Sequence, residues 1–437
     1  MANRQGTSPE QTAGEGGPQR RGYRYTFLSL HLPAVALGLG QGIITPVLPV
    51  FVIERFDVGI GLAALVFVTN MLGGFTASVP VGYAIDRFGR RRILLAGPII
   101  IAASSILIGF ATAGSFALLL FYRYLSGWGQ QMWQLSRLTV IADTGGRDRG
   151  RQITSMFGVQ RGGHLAGPLI GGFAALTWGL EVAFILHAVV VLAAFVPSFL
   201  VIRETAPPGP AAGARPSPAD ATHHFSWKTL LEPPIPALYA AQFLGTLTRG
   251  GAIGGGTIFL FGVYAYGTGP ATLGVLSSVM AAVGIPLTVS AGFIMDRFGR
   301  KVTIVPGSIF FGFAMVYLAA VAMASWPFYA FVIGFVWMQL LASLLSGSMQ
   351  TIGTDIAPTY GRGRFFGVGR MVSQAGFMAN PLSFSILTAL SGFTAAFSFF
   401  AGTGFAAALI LAFGVKETLV RGEGDSFAER SRPATRE

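Results

Sequence analysis

The sequence has no cysteine and very little charge. Without cysteine there is no disulfide framework, no thiolate chemistry and no Cys-based metal site. Only 11% of the 437 residues are charged. A soluble domain carries about 25%, so this chain cannot clothe a water-facing surface. Acid is scarcest: 18 acidic residues stand against 30 basic ones, and none of the acids falls near the middle of an apolar stretch. A Gly-x-x-x-x-Gly-Lys-Ser/Thr phosphate loop is also missing. The first 24 residues lack an apolar stretch leading to a small-residue cleavage site, so no cleaved signal peptide is expected.

What fills the chain instead is apolar: 52% hydrophobic residues and a mean hydropathy of +0.61. This is the composition of an integral membrane protein. The net charge of +12 is then read as facing lipid headgroups, with no nucleic-acid partner. A bilayer core of about 30 Å takes roughly 20 helical residues. Twelve such stretches are predicted, near 26–52, 60–84, 92–111, 116–141, 153–177 and 181–202, then 236–264, 271–294, 302–324, 327–353, 365–390 and 393–415. They divide the chain into a tail (1–25), a six-helix bundle (26–203), a Pro/Ala/Gly-rich linker (204–235), a second bundle (236–416) and a second tail (417–437). The tails, the linker and the loops on their side hold 24 of the 30 basic residues, whereas the opposite loops hold only Arg55. The positive-inside rule therefore makes both termini cytoplasmic, in a cell (inner) membrane.

The two halves repeat. Gly82-Tyr-Ala-Ile-Asp86-Arg87-Phe-Gly89-Arg90-Arg91 recurs 210 residues on as Gly292-Phe-Ile-Met-Asp296-Arg297-Phe-Gly299-Arg300-Lys301. Arg149-Gly-Arg151 with Pro168 recurs 213 residues on as Arg362-Gly-Arg364 with Pro381. Two like bundles in the same orientation require a pseudo-two-fold axis along the membrane normal, with a solute site between them.

The doubled Gly-x-x-x-Asp-Arg-x-Gly-Arg loop resembles the signature of the major facilitator superfamily, and the span count, repeat and linker extend the resemblance over the whole chain. The fold it implies is all-α: twelve transmembrane helices as two pseudo-symmetric six-helix bundles. It also implies that Asp86, Arg87, Gly89 and Arg90, with Asp296, Arg297, Gly299 and Arg300, latch a cytoplasmic gate. Arg123 with Ser126-Gly127-Trp128-Gly129 resembles the helix-4 arginine motif of the family. Gly163-His164-Leu-Ala-Gly167-Pro168-Leu-Ile-Gly171-Gly172 is similar to the helix-5 signature of its antiporters, largely proton-coupled drug exporters. Gly38-x-Gly40-x-Gly42 and Pro46-Val-Leu-Pro49 point to the same branch. From the residues themselves, small side chains at 163, 167 and 171 make a smooth face for close helix packing, and Pro168 kinks the helix.

Candidate cavity residues are Arg123, Gln130, Gln134, Arg161, Gln242 and Arg249. Gln130 and Gln134 share a helix face with Arg123 and Arg137. Arg123, Arg161 and Arg249 are deep, and a deep unpaired guanidinium suits carboxylate or phosphate. Arg137 and Arg370 lie near the cytoplasmic face and are expected to snorkel. His164, His187 and Asp143 are candidates for carrying a coupled proton, and the glycine run 250–256 is expected to be a hinge. The favoured reading is a monomeric secondary transporter that moves a small organic solute, with a proton or another ion, by alternating access as an exporter. It is no enzyme, needs no cofactor or metal, and touches only its solute, the coupling ion and lipid. Two other readings stay open: an organic-anion transporter, suggested by the arginines and missing carboxylates, and a non-transporting assembly factor or sensor on the same fold.

Overall fold

The computed structural model describes residues 31–111, 115–144, 149–201, 230–254, 256–357 and 362–417. The tail before residue 31, nearly all of the linker and the tail after 417 lie outside them. Everything with regular structure among the described residues is helical. The first half comprises α1 (Leu32–Phe56), α2 (Ile60–Phe88), α3 (Arg90–Ala111), α4 (Phe116–Thr144), α5 (Arg149–Trp178) and α6 (Leu180–Val201). The second comprises α7 (Ile235–Gly254), α8 (Gly256–Tyr266), α9 (Pro270–Phe298), α10 (Arg300–Met323), α11 (Phe328–Leu344), α12 (Ser348–Ile356) and α13 (Arg362–Gly414). α13 doubles back at Gly392, whose φ of 79° only glycine adopts freely, so it supplies two spans. α7 and α8 belong to one span, and α11 with α12 is a single span interrupted at residues 345–347. The seven pieces of helix in the second half thus make six spans, and each half has six.

Eight segments are long and apolar enough to cross a membrane, among them the doubled Phe365–Gly414. α4, α5 and α7 fall short of that measure because they carry Arg123 and Arg137, Arg161, and Arg249 among glutamines and glycines. These less apolar helices are held by packing inside the bundle and not by affinity for lipid.

Packing follows the sequence repeat. In the first half α1 lies on α5, α2 on α4, and α3 on α6; in the second α7 lies on the first arm of α13, α9 on α11, and α10 on its second arm. The halves meet through α5 against α9 and α2 against α13. Equivalent contacts recur at atomic detail: Arg91 Nη2 donates to Phe199 O at 2.9 Å, and Lys301 Nζ donates to Ala412 O. Gly89 (φ 90°) and Gly299 (φ 115°) make the one-residue turns that join α2 to α3 and α9 to α10.

Candidate functional site

The seam between the halves is closed at one end only. The arginine-bearing turns at Gly89 and Gly299 mark the basic end; the far end is opposite. Glycines on the four seam helices report the difference. At the far end, a Cβ on Gly61 would lie 2.8 Å from Ser385 O, one on Gly172 2.5 Å from Pro270 O, and one on Gly274 2.3 Å from Pro168 O. All three are contacts across the seam, and Ser385 Oγ donating to Gly61 O and Ser278 Oγ accepting from Leu169 N reinforce them. Toward the basic end, a Cβ on Gly82, Gly158, Gly162, Gly292 or Gly367 would meet nothing within 4 Å. The halves are sealed far from the basic loops and parted near them.

The helix-5 glycines sit against α1. A Cβ on Gly163, Gly167 or Gly171 would lie 2.3, 2.4 and 2.2 Å from Val35 O, Leu39 O and Ile43 O. Pro168 faces both Gly42 of its own half and Gly274 of the other. The Gly-Pro segment is therefore the point where α1, α5 and α9 touch.

A hydrogen bond crosses the seam on the open side: Arg161 Nη2 donates to Ser346 Oγ at 2.8 Å. Ser346 lies in the break between α11 and α12, where Gly347 takes a φ of 82°. The same break receives Arg249. Its Nη1 donates to Leu345 O at 3.2 Å and its Nε to Gly245 O at 2.9 Å. Leu345 O also accepts from Ser348 Oγ at 2.7 Å. Breaking the span leaves carbonyls at the negative end of α11, and the guanidinium takes one of them, Leu345 O. The expectation that Arg249 is a deep, unpaired cation is therefore corrected: the fold supplies its acceptors. Arg161 is exposed and not deeply buried.

Arg137 also departs from expectation. It does not snorkel; it is wholly buried, 0% exposed. Its Nη2 reaches Gln134 Oε1 and Gln160 Oε1, each at 3.4 Å, and its Cζ lies 5.4 Å from the Trp133 ring centroid. Helix α4 runs on to Thr144, two turns past Arg137, and its neighbours wrap that side chain. Arg370 is exposed. Arg123 has a buried Nε without a partner, and Gln130 is half-buried. Gln242 donates to Ser373 Oγ within the second half. His187 is buried and shares a 2.6 Å hydrogen bond with Ser105, inside the first half and away from the seam. His164, half-buried on α5, makes no hydrogen bond among the described residues.

At the loops, the side chains of Asp86, Asp296 and Asp143 lie outside the described residues. Arg87 and Arg297 stack over their neighbours Phe88 and Phe298, at 5.5 and 5.6 Å. Arg90 is half-buried. Arg300 Nε pairs with Asp355 Oδ2 at 3.1 Å, joining α10 to α12 within one half. Glu417 accepts from the backbone N–H of Arg300 and of Lys301, both at 3.0 Å, capping α10. Sequence reasoning missed Glu417. Its signal was available: Lys416-Glu417-Thr418 repeats Arg203-Glu204-Thr205, 213 residues earlier.

Known proteins are similar over part of the chain, among them a bacterial and a fungal one. Multidrug resistance protein 2 of Bacillus subtilis is 27% identical over 170 residues, 38% of this chain and 41% of that protein. The MFS-type transporter ppzB of Metarhizium rileyi is 29% identical over 171 residues, 37% of this chain and 35% of that one. Each match thus spans well under half of the relative. Solved structures match almost end to end. The D-xylose-proton symporter superposes with a TM-score of 0.74 at 15% identity, covering 91% of this chain and 98% of that one. A POT family transporter in complex with a thioalcohol-conjugated peptide gives 0.70 at 14%, covering 90% and 95%. At such identities the likeness is one of fold. A family profile described as Major Facilitator Superfamily matches residues 32–267 and again 252–435, once for each half of the repeat. The fold, the doubled loop signature and this double match agree, and the chain belongs to the Major Facilitator Superfamily.

Proposed function

We propose that the chain is a secondary active transporter that moves a small organic solute by alternating access, working as a monomer in the cell membrane with its basic end in the cytoplasm. The supporting observation is the one-sided seam: glycine contacts close it at the far end and leave it open at the basic end. Two repeats packed through four helices can rock about such a seam to reverse which end is open. Export in exchange for protons is supported by the antiporter-like Gly-Pro segment at the triple contact of α1, α5 and α9, and by the multidrug-resistance relative. His164 is the better proton carrier of the two candidate histidines, because His187 is held by Ser105 in the core.

The absence of native cysteine makes labelling clean. Single cysteines at Gly158 and at Ser385, which is buried in the far-end seam, should react in opposite conditions: Gly158 without solute, Ser385 when the far end opens. Solute flux in proteoliposomes, with pH gradient and membrane potential imposed separately, tests coupling. A seam whose labelling never changes under any gradient or solute would favour the sensor reading and overturn this one. A second reading, transport of an organic anion, is supported by Arg123, whose buried Nε lacks an acceptor.

A further inference from the structure

A guanidinium in the first half has a full set of donors and almost nothing to give them to. The Nε and Nη1 of Arg137 are buried without a partner. The two contacts of Nη2, to Gln134 and Gln160, are both long at 3.4 Å. Around it the pattern continues: Trp133 Nε1 and Ser136 Oγ are also buried and unpartnered. Gln160 Nε2 reaches on to Gln41 Oε1 at 3.5 Å. The cluster therefore joins α1, α4 and α5. Gln41, Gln134 and Gln160 are each half-buried, so they are the more exposed members of a cluster whose buried member is Arg137.

A buried cation is retained only where something compensates it. The second half shows how the chain itself can do so, by breaking a helix and offering a carbonyl to Arg249. α4 is unbroken from Phe116 to Thr144 and offers none. The cation–π contact with Trp133 is a partial substitute. Planar N–H pairs on a guanidinium match the two oxygens of a carboxylate. One free N–H, on Nε or Nη1, together with an N–H of Nη2, makes such a pair once a long amide contact gives way. The displaced glutamine then turns its own NH₂ toward the ligand.

We propose that Arg137, with Gln41, Gln134 and Gln160, is a receptor for the carboxylate group of a small organic acid. It rests on reading the seam as a solute pathway, and it narrows that reading to acidic solutes bound on the first half. The test uses purified full-length protein in detergent and matched probes: acetate and benzoate against acetamide and benzamide, with binding read by calorimetry and by thermal unfolding. Both carboxylates should bind and stabilise; the amides should not. Arg137→Met should weaken benzoate at least about thirtyfold, the loss of a charged hydrogen-bonded pair. Arg137→Lys keeps the charge but not the fork and should recover only part of that. Gln160→Leu leaves the guanidinium in place and should weaken benzoate by about fivefold, which keeps the test open if an Arg137 variant misfolds. Equal binding of benzoate and benzamide, no binding of either at millimolar concentration, or unchanged benzoate affinity in folded Arg137→Met each overturns the proposal. Because these readouts are of binding, they stand apart from the labelling test: a seam that alternates without carboxylate binding removes the receptor alone.

Discussion

The two halves share one architecture and treat buried arginine in opposite ways. In the second half Arg249 comes from α7 and meets two carbonyls, Gly245 O of its own helix and Leu345 O of a broken span. In the first half Arg137 comes from the unbroken α4 and meets two glutamine oxygens at 3.4 Å. At the repeat offset of 210–213 residues, Arg137 corresponds to Gly347–Gln350, where the partner span is interrupted. Duplication kept the position and exchanged its solution, a cation on one side and freed carbonyls on the other. A site satisfied by its own backbone is closed to a ligand, whereas a site left short of acceptors is open to one. The proposed receptor on the first half follows from that difference.

The largest expected effect separates the packing of the halves. Gly163 and Gly376 are equivalent at offset 213. A Cβ on Gly163 would meet backbone, Val35 O at 2.3 Å and Leu39 N at 2.6 Å. One on Gly376 would first meet the Thr246 side-chain oxygen at 2.0 Å, which can turn away, and then Phe243 O at 2.7 Å. Gly163→Ala should cost about 3 kcal/mol or more and Gly376→Ala about 1 kcal/mol. Thermal unfolding in detergent ranks them; equal losses would mean that α1 yields as easily as a threonine side chain.

Next comes Arg249→Met, which should cost about 2 kcal/mol, the loss of charged hydrogen bonds to Leu345 O and Gly245 O. Proteolysis or hydrogen exchange should show the break at 345–347 loosened first. Asp355→Asn should cost less, about 1 kcal/mol or under, because the Arg300 pair is partly exposed, 15% and 26% on its two side chains. Raised salt should shrink that difference further, and a loss that salt leaves untouched would mark a role beyond the ion pair.

Much of the fold was legible because its signals are one-dimensional. Span length, the side on which arginine accumulates and the two copies of the Asp-Arg-Phe-Gly-Arg loop depend on sequence distance alone. The site was less legible because depth along a helix is not burial. Arg137 is close to the basic end by residue count, yet α4 continues two turns and neighbouring helices enclose it. Arg249 looked unpaired because one of its acceptors, Leu345 O, lies 96 residues away, on a turn where Ser346-Gly347-Ser348 interrupts an apolar span. The amide relay from Arg137 through Gln160 to Gln41 joins three helices, and no local spacing encodes it.

The smallest expected change in stability is also the one that decides the comparison. Arg137→Met removes a guanidinium whose Nε and Nη1 are unpartnered and whose Nη2 contacts are long. If the receptor reading holds, the ligand-free protein gains little from this side chain and still bears the cost of burying it. A methionine of similar reach fills the space beside Trp133 and has no unmet donor, and such exchanges of a buried charge for an apolar group are often neutral or stabilising. The variant should therefore unfold within about 0.5 kcal/mol of wild type, or slightly above it, without any carboxylate present. Addition of benzoate should then raise the unfolding temperature of the wild type and leave Arg137→Met where it was. In Arg249→Met the order reverses, with stability lost and benzoate-induced stabilisation kept. A ligand-free Arg137→Met as unstable as Arg249→Met would show that Arg137 also holds its own half together, and the contrast between the halves would fall.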